Sequence, residues 1–373
     1  MRQTGCILLL MCFIIGSYAE ATGQADFHLL IGTYATENSP NGIHVYNFNV
    51  ESGLLEQKQP VTELANASFL AISADKKNVY AVSGDKVNAY AFNSTSGKLT
   101  FINSVATQGS CYVSVDSNKK VVFSGNYGGG NVLAIKLNKD GAFDEGTTQI
   151  VQHYGKSINT ERQESAHVHS VVLSPDENFL LVPDLGVDKI YQYQVRPAQK
   201  TILKPAQKPF LATEIGGGPR HLVFHPNGKY AYVVLELQGA VKALRYKNGT
   251  LKAMQTTSMV TPNFEGRLSG ADIHVSPDGK FLYASNRGNA NEIAIYAINK
   301  KGKLNLLDRQ SVMGEMPRNF AIDPTGKYIL VANQNSNEVV IFKRDAITGL
   351  MTPTGDRLQV DKPVCLKFAS IGE

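Results

Sequence analysis

The sequence predicts an all-β fold, a seven-bladed β-propeller whose ring is closed by a composite blade from both ends of the chain. Three observations predict it. A unit of three short strands around a tight turn recurs along the chain, and its copies are spaced by the length of a propeller blade. The two ends of the chain each supply the part of a blade that the other lacks.

The repeated unit is clearest from Gly218 to Tyr246, which reads GPRHLVFHPNGKYAYVVLELQGAVKALRY. The first strand ends at Phe224 and is followed by a turn at residues 225–229. Two further strands, rich in Val, Leu and Tyr, come after the turn. Pro226 sets φ for the first central turn position, and Asn-Gly allows a positive φ. The unit is therefore predicted to be a hairpin extended by a third strand.

Five further copies of the unit follow the same pattern. They are His167–Val195, Gly270–Ile298 and Met316–Lys343, with weaker copies at Ala67–Asn93 and Gly109–Leu137. The residue in the Pro226 position falls at 74, 117, 175, 226, 277 and 324, which gives intervals of 43, 58, 51, 51 and 47 residues. Intervals of this size in an all-β sequence indicate propeller blades.

The seventh blade is expected to be composite. Phe27–Tyr34 and Ile43–Phe48 resemble the second and third strands of the unit, and no first strand precedes them. Pro363–Ala369 resembles a first strand with nothing after it. Joining the two ends removes the open sheet edge of a terminal blade. Since no linker interrupts the series, residues 27–369 are expected to form a single propeller domain.

Residues 1–21 have the layout of a secretory signal peptide. Arg2 precedes an apolar run, Ile7–Ile15, which is too short to span a bilayer, and the small residues Ser17, Ala19 and Ala21 follow. We expect export to the periplasm or the extracellular space. If this segment is instead a buried strand, the protein would be cytoplasmic.

Composition narrows the function classes. A net charge of +5 without a block of Lys or Arg argues against nucleic-acid binding. With the signal peptide removed, Cys111 and Cys365 remain, and we expect two free thiols rather than a disulfide. The pair His167 and His169 has no third ligand at a suitable spacing, so no metal site is predicted. No cofactor is predicted either.

A geometric rule locates the candidate site. In a propeller the first strand of each blade lines the central channel, and the second strand returns to the same rim. The residue six places before the Pro226 position and the residue ten places after it should therefore meet at one mouth of the channel. The first set is Ser68, Cys111, His169, Arg220, Ala271 and Arg318; the second is Gly84, Tyr127, Leu185, Glu236, Arg287 and Gln334, with Tyr34 from the composite blade.

Ionisable residues within these sets are concentrated on consecutive blades. Five of them should lie at the same mouth of the channel: His169, Arg220, Glu236, Arg287 and Arg318. Crowding guanidinium groups is energetically costly unless an anion lies among them. The pattern therefore indicates an anionic ligand. Further candidates for substrate contact are His167, His221, Gln334 and Tyr127. His225, in contrast, occupies a position filled elsewhere by Ser or Asp and is expected to cap a turn.

With these motifs established, the chain resembles the lactonase family of seven-bladed propellers, which includes bacterial 6-phosphogluconolactonases and fungal 3-carboxy-cis,cis-muconate cyclases. The resemblance rests on GPRHLVFHPNGKYAYVVLEL, ADIHVSPDGKFLYASNRG and MPRNFAIDPTGKYILVANQNS. It implies functional roles for four residues that match the motifs of the cyclase branch: His169, Arg220, Glu236 and Arg287. The sequence motifs Gly-Pro-Arg-His and Glu-Leu resemble the phosphogluconolactonase branch more closely than the cyclase branch.

The resemblance implies a metal-independent hydrolase of carbohydrate metabolism that opens 6-phosphogluconolactone to 6-phosphogluconate. Either Glu236 or His169 would be the general base, and arginines would hold the oxyanion and the anionic group. The related lactonases are similar to cytoplasmic enzymes of the pentose phosphate pathway, whereas this chain has an export pattern, which makes an extracytoplasmic sugar lactone a second candidate substrate. A lactonising 3-carboxy-cis,cis-muconate cyclase and a non-enzymatic binding propeller are also compatible with the sequence. The sequence does not determine the oligomeric state.

Overall fold

The computed structural model describes residues 27–34, 42–118 and 120–372, and the predicted signal peptide lies outside them. Nearly all regular structure is β-strand, arranged as seven antiparallel sheets. Each sheet is one blade, as predicted, and the strands number 29 in the described chain. Three short 3₁₀ turns, Glu145–Thr147, Leu185–Val187 and Glu236–Gln238, interrupt them.

The composite blade is blade 1, and the other blades follow in chain order. Blade 1 contains β1 (Phe27–Thr33), β2 (Gly42–Phe48), β3 (Leu55–Gln57), β4 (Thr62–Glu63) and β29 (Pro363–Ser370). Blade 2 contains β5 (Ala67–Ile72), β6 (Asn78–Ser83), β7 (Lys86–Phe92) and β8 (Leu99–Ala106). Blade 3 contains β9 (Ser110–Val115), β10 (Val121–Asn126), β11 (Asn131–Lys136) and β12 (Gln149–Gln152). Blade 4 contains β13 (Val172–Leu173), β14 (Phe179–Asp184), β15 (Lys189–Val195) and β16 (Leu203–Ala212).

The remaining blades repeat this arrangement. Blade 5 contains β17 (Pro219–Phe224), β18 (Tyr230–Leu235), β19 (Ala240–Lys247) and β20 (Thr250–Ser258). Blade 6 contains β21 (Gly270–Val275), β22 (Phe281–Asn286), β23 (Glu292–Ile298) and β24 (Leu304–Ser311). Blade 7 contains β25 (Pro317–Ile322), β26 (Tyr328–Asn333), β27 (Glu338–Arg344) and β28 (Met351–Gln359).

Closure of the ring by both ends is confirmed. β29 pairs antiparallel with β1, so that Leu30 lies opposite Lys367, and β1 pairs with β2. The innermost strands of neighbouring blades contact one another, including β29 with β5 on one side and with β25 on the other. The last strand of the chain thus completes the first blade, and no propeller edge is left open at the junction.

Turn chemistry explains why the hairpins recur. Ser174 and Ser276 each accept a hydrogen bond at 3.0 Å from the backbone N–H five residues later. His225 fills the equivalent position and accepts at Nδ1 from Asn227 N–H, which confirms the predicted turn cap. Gly228 has a φ of 69°, the left-handed region that glycine reaches without strain.

The hydrophobic core lies between neighbouring blades. One cluster joins Tyr80 and Val82 of blade 2 to Val122 and Leu133 of blade 3. Buried tyrosines also connect blades through their hydroxyls: Tyr80 donates to Gly141 O at 3.1 Å, and Tyr283 of blade 6 donates to Gly349 O of blade 7 at 2.7 Å. This packing makes the ring a stiff scaffold for the side chains at the channel mouth.

Among the described residues, no helix has the length and apolar character needed to cross a membrane. Cys111 and Cys365, both in this part of the chain, are free thiols, as expected.

Candidate active site

One mouth of the channel contains a polar pocket of about 300 Å³. Its walls are formed by Tyr34, Cys111, Tyr127, Arg162, His169, Glu236, Arg287 and Arg318. Seven of these eight residues occupy positions chosen by the channel-mouth rule; the exception is Arg162. The rule therefore locates the pocket correctly.

Irregular strand starts direct the side chains of the first set. The pairing register shifts between Pro219 and Leu222 in blade 5, and between Pro317 and Asn319 in blade 7. Such bulges turn a side chain out of the regular alternation of a strand. Arg220 and Arg318 lie inside these bulges; Arg220 reaches Glu236, and Arg318 lines the pocket.

Glu236 lies at the centre of the charged cluster. It begins a 3₁₀ turn directly after β18, and its side chain is only 2 % exposed. Arg162 Nη2 and Arg287 Nη2 lie 2.9 Å and 3.1 Å from its Oε1. Arg220 Nε lies 2.9 Å from its Oε2, as an ion pair without hydrogen-bond alignment. One carboxylate therefore neutralises part of the charge of three guanidinium groups.

The arginines keep Glu236 ionised. Burial alone would raise the pKa of this carboxyl, but Arg287, Arg220 and Arg162 lower it to about 2. A carboxylate held this strongly is a weak proton acceptor at neutral pH. Glu236 is thus better suited to hold the arginines in place than to deprotonate water.

His169 provides the imidazole of the pocket. Its Nε2 lies 4.0 Å from Glu236 Oε2, and its Nδ1 lies 3.7 Å from the Cys111 thiol. Burial lowers the pKa of His169 well below its usual value, and the positive charge of Arg220 contributes to the shift. The ring is therefore neutral at physiological pH and has an unprotonated nitrogen.

The two remaining arginines of the predicted site differ in environment. Arg220 is 1 % exposed, donates to Ala271 O at 2.7 Å and lies behind Glu236, outside the pocket wall. Arg318 is half-buried on the wall, 5.3 Å above the ring of Tyr34. Within the described residues no hydrogen bond or ion pair of Arg318 is found, so its guanidinium is free to bind a ligand.

Three of the predicted contact residues lie behind or beside the pocket. His167 stacks on Tyr127 with ring centres 4.3 Å apart, so it supports a wall residue. His221 packs edge-on against His169 with ring centres 5.4 Å apart, and its Nδ1 is 2.8 Å from Asp272 Oδ1. Gln334 is half-buried and does not line the pocket. Direct substrate contact by these three residues stays a prediction.

The pocket carries a strong positive charge. Four arginines and one carboxylate converge on it, a net charge of about +3 when His169 is neutral. The pKa of Arg287 reflects this crowding. It is lowered to about 9, mainly by burial and also by the positive charges of Arg220 and Arg318, while the negative charge of Glu236 opposes the shift. An anionic ligand would relieve this repulsion.

No group of three or more His, Cys, Asp or Glu side chains suited to a metal ion occurs in the described part of the chain.

Arg162 is the residue that sequence reasoning missed. It lies in the connection between β12 and β13, the longest connection between neighbouring blades in the described chain. The channel-mouth rule counts along the strands, so it does not reach this residue. The signal that the sequence does offer is the length of the non-repeating segment Tyr154–Ser165 between two copies of the unit.

Comparisons with known proteins agree with this architecture. A family model described as a lactonase, 7-bladed β-propeller, matches residues 28–368. A 6-phosphogluconolactonase of Formosa agariphila is 36 % identical over 343 residues, 89 % of this chain and 97 % of the relative. A 6-phosphogluconolactonase of Bacillus subtilis is 33 % identical over 347 residues, 91 % of this chain and 97 % of the relative.

Solved structures give the same result. A candidate 6-phosphogluconolactonase of Bacteroides fragilis superposes with a TM-score of 0.88 at 38 % identity, covering 94 % of this chain and 99 % of the other. A periplasmic gluconolactonase of Pseudomonas aeruginosa superposes with a TM-score of 0.87 at 34 % identity, covering 93 % and 99 %. The chain belongs to the lactonase family of seven-bladed β-propellers.

Proposed function

We propose that this protein hydrolyses an anionic sugar lactone, with 6-phosphogluconolactone as the first candidate substrate. The observation that carries the proposal is the pocket itself, whose walls hold three arginines and one carboxylate beside a neutral imidazole. The names of its relatives, two 6-phosphogluconolactonases, support the same substrate class.

The substrate's anionic group would bind to the excess positive charge. Arg318 has no carboxylate partner in the described chain, and Arg162 and Arg287 share a single oxygen of Glu236. A phosphate offers several acceptor oxygens and suits guanidinium donors. Binding it would neutralise much of the charge of about +3 and place the lactone carbonyl near His169.

His169 is proposed as the general base, rather than Glu236. It takes a proton from the attacking water as the water oxygen bonds to the lactone carbonyl carbon, and the carbonyl becomes an oxyanion. When the bond from that carbon to the ring oxygen breaks, the imidazolium returns the proton to the departing oxygen. The products are an open-chain sugar acid and a restored neutral imidazole.

Glu236 and Arg287 stabilise the charges that develop. Glu236 Oε2 lies 4.0 Å from His169 Nε2 and would stabilise the transient imidazolium. Arg287 lines the pocket and is held by Ser269 O and Gly270 O, so it would meet the oxyanion with little reorganisation. Loss of one preorganised donor of this kind costs about 3 kcal/mol in transition-state stabilisation.

We also propose that the enzyme acts outside the cytoplasm. The proposal rests on the signal-peptide pattern of residues 1–21 and is supported by the similarity to a periplasmic gluconolactonase. Fractionation of cells expressing the full-length chain tests it: the mature protein should appear in the periplasmic or extracellular fraction, and recovery of an uncleaved cytoplasmic protein would refute it.

A three-substrate assay tests the activity. Purified protein is supplied in parallel with 6-phosphogluconolactone, unphosphorylated gluconolactone and 3-carboxy-cis,cis-muconate, and acid release or cyclisation is followed against an enzyme-free blank. We expect the highest kcat/KM on the phosphorylated lactone, and no effect of a chelator because side chains supply every charge in this scheme. Rates equal to the blank for both lactones would refute the proposal.

Variants connect the activity to the pocket. Arg287→Ala and Arg220→Ala should keep the fold and lose most of kcat/KM, the first by removing a pocket donor and the second by releasing Glu236. Arg245→Gln is a matched control. Arg245 is exposed on β19, so this substitution removes one positive charge outside the pocket.

A further inference from the structure

The segment from His153 to His167 brings Arg162 to the pocket from outside the strands of the blades. Arg162 Nη2 donates to Glu236 Oε1 at 2.9 Å and to the Tyr127 hydroxyl at 3.3 Å. Its side chain is 29 % exposed, whereas the side chains of Arg287 and Arg220 are 7 % and 1 % exposed. Of the arginines paired with Glu236, it is therefore the most accessible to an incoming ligand.

The middle of this segment is fixed by a buried carboxylate, Asp188. Its oxygens accept hydrogen bonds from Ser157 Oγ at 2.5 Å and from Gln163 Nε2 at 2.8 Å. They also accept from the backbone N–H groups of Gly216 and Gly218, at 2.6 Å and 2.8 Å, in the turn that leads to β17. Asp188 therefore ties the Arg162 segment to the blade that carries Arg220.

Residues on both sides of Arg162 are also held. Gln163 is fully buried, and its side chain donates to Leu185 O at 2.8 Å. Asn159 Oδ1 accepts from the Arg162 backbone N–H at 3.1 Å. Because the backbone is fixed before any ligand arrives, the guanidinium is presented to the pocket without a large ordering cost.

The ends of the segment are fixed by another carboxylate, Asp184. His153 Nδ1 lies 2.7 Å from Asp184 Oδ2, and His167 N–H donates to Asp184 Oδ1 at 2.7 Å. His167 in turn stacks on Tyr127, whose hydroxyl contacts Arg162. The segment is thus a built part of the pocket wall, and Arg162 is its contribution to the site.

Arg162 and Arg318 approach the pocket from opposite sides of the ring. Arg162 lies between blades 3 and 4 and Arg318 belongs to blade 7, so three blades separate them in either direction. Both line the pocket. A group with several anionic oxygens can accept from both guanidiniums at once, whereas a neutral hydroxymethyl group gains little from either.

We propose that Arg162 is a specificity-determining residue that selects a phosphorylated lactone over the neutral lactone. This inference rests on the proposed function, because it assigns the phosphate of that substrate to Arg162 and Arg318. In the complex, phosphate oxygens take the place of Glu236 Oε1 as a partner of Arg162. Arg220 and Arg287 keep Glu236 in position.

The test compares Arg162→Gln, Arg162→Lys and the control Arg245→Gln on 6-phosphogluconolactone and gluconolactone. For Arg162→Gln we expect kcat/KM on the phosphorylated lactone to fall about 10- to 100-fold, mainly through KM, because a charge-assisted contact to phosphate is lost. The value on gluconolactone should fall by a much smaller factor, since only the contact between Arg162 and Glu236 is lost there, so the ratio of the two kcat/KM values should decrease. Arg162→Lys should recover part of the loss, and Arg245→Gln should match the wild type.

A binding measurement separates this inference from the proposed function. Calorimetric titration with 6-phosphogluconate and with gluconate reports selectivity without turnover. If the wild type hydrolyses neither lactone but prefers 6-phosphogluconate, and Arg162→Gln abolishes that preference, the Arg162 assignment stands and the hydrolase function fails. Equal losses on both lactones, unchanged selectivity in Arg162→Gln, or a wild type without preference between the two acids would overturn the assignment.

Discussion

Replacement of Glu236 by glutamine removes the carboxylate on the pocket wall and leaves the shape of the side chain almost unchanged. In the wild type, this carboxylate lies 2.9 Å from Arg162, 2.9 Å from Arg220 and 3.1 Å from Arg287. In Glu236→Gln the same guanidiniums face one another without that counter-charge. We therefore expect a folded but destabilised protein.

The magnitude follows from the environment of Glu236. The arginines lower its pKa from 4.5 to about 2, and each pKa unit corresponds to about 1.4 kcal/mol, so the folded state favours the ionised form by about 3 kcal/mol. Removing one partner of a buried ion pair costs a similar amount, about 3–5 kcal/mol. For a propeller of about 340 residues, an unfolding entropy of about 0.7 kcal/mol/K converts 3 kcal/mol into a decrease of about 4 °C in Tm.

Thermal unfolding followed by circular dichroism measures the effect. At pH 7 in chloride, Glu236→Gln should melt about 4 °C below the wild type. Inorganic phosphate at matched ionic strength should raise the Tm of the variant more than that of the wild type, because an anion that binds only the folded state substitutes for the missing carboxylate. Glu56→Gln, an exposed site with the same change of charge, is the control.

The dependence on pH has a defined sign. Because the folded-state pKa of Glu236 is depressed, its contribution is fully present above the unfolded pKa of about 4.5 and is lost as the pH falls toward 2. The Tm difference between wild type and Glu236→Gln should therefore shrink across this window. A variant with wild-type Tm at pH 7 and no response to phosphate would refute the counter-ion role.

Three further predictions concern neighbouring groups. His169→Asn should lower kcat/KM by about 10²- to 10⁴-fold, and the acidic limb of the wild-type pH–rate profile should lie below pH 6.5, because the pKa of His169 is lowered; a limb above 6.5 would contradict a neutral base. Asp188→Asn should lower Tm and reduce the preference for the phosphorylated lactone, since it weakens hydrogen bonds that hold Gln163 and Ser157; unchanged selectivity would contradict a positioning role. Cys111→Ser should keep most activity, and iodoacetamide should not inactivate the native enzyme, because burial raises the pKa of this thiol to about 11; rapid inactivation would indicate a reactive thiolate.

The blades could be predicted from the sequence because their geometry is local. Each hairpin is set by a short turn, such as His225–Lys229, and by strands whose side chains alternate between two faces. Once the turn is located, counting along the two strands places residues such as His169, Glu236 and Arg287 at one rim. The ring then brings together positions that are far apart in the sequence, without any further information.

Other parts of the site could not be predicted because they depend on contacts that do not repeat. The position of Arg162 is set by Asp188, which belongs to the next blade, and by the burial of Gln163. No periodicity in the sequence connects these residues. Similarly, the rule places Arg220 at the rim, but only the pairing with Glu236 Oε2 and Ala271 O shows that it lies behind the pocket wall.

The roles of Glu236 and His169 also depend on three-dimensional surroundings. Both are ionisable, and the sequence leaves either as the base. The structure distinguishes them by charge: the arginines hold Glu236 as an anion with a pKa of about 2, and burial together with Arg220 keeps His169 neutral. A phosphate bound in the pocket would offset the positive field that opposes protonation of His169. The same arginines would thus bind the substrate and, once it is bound, make proton transfer to His169 less costly, which links recognition of the anion to catalysis.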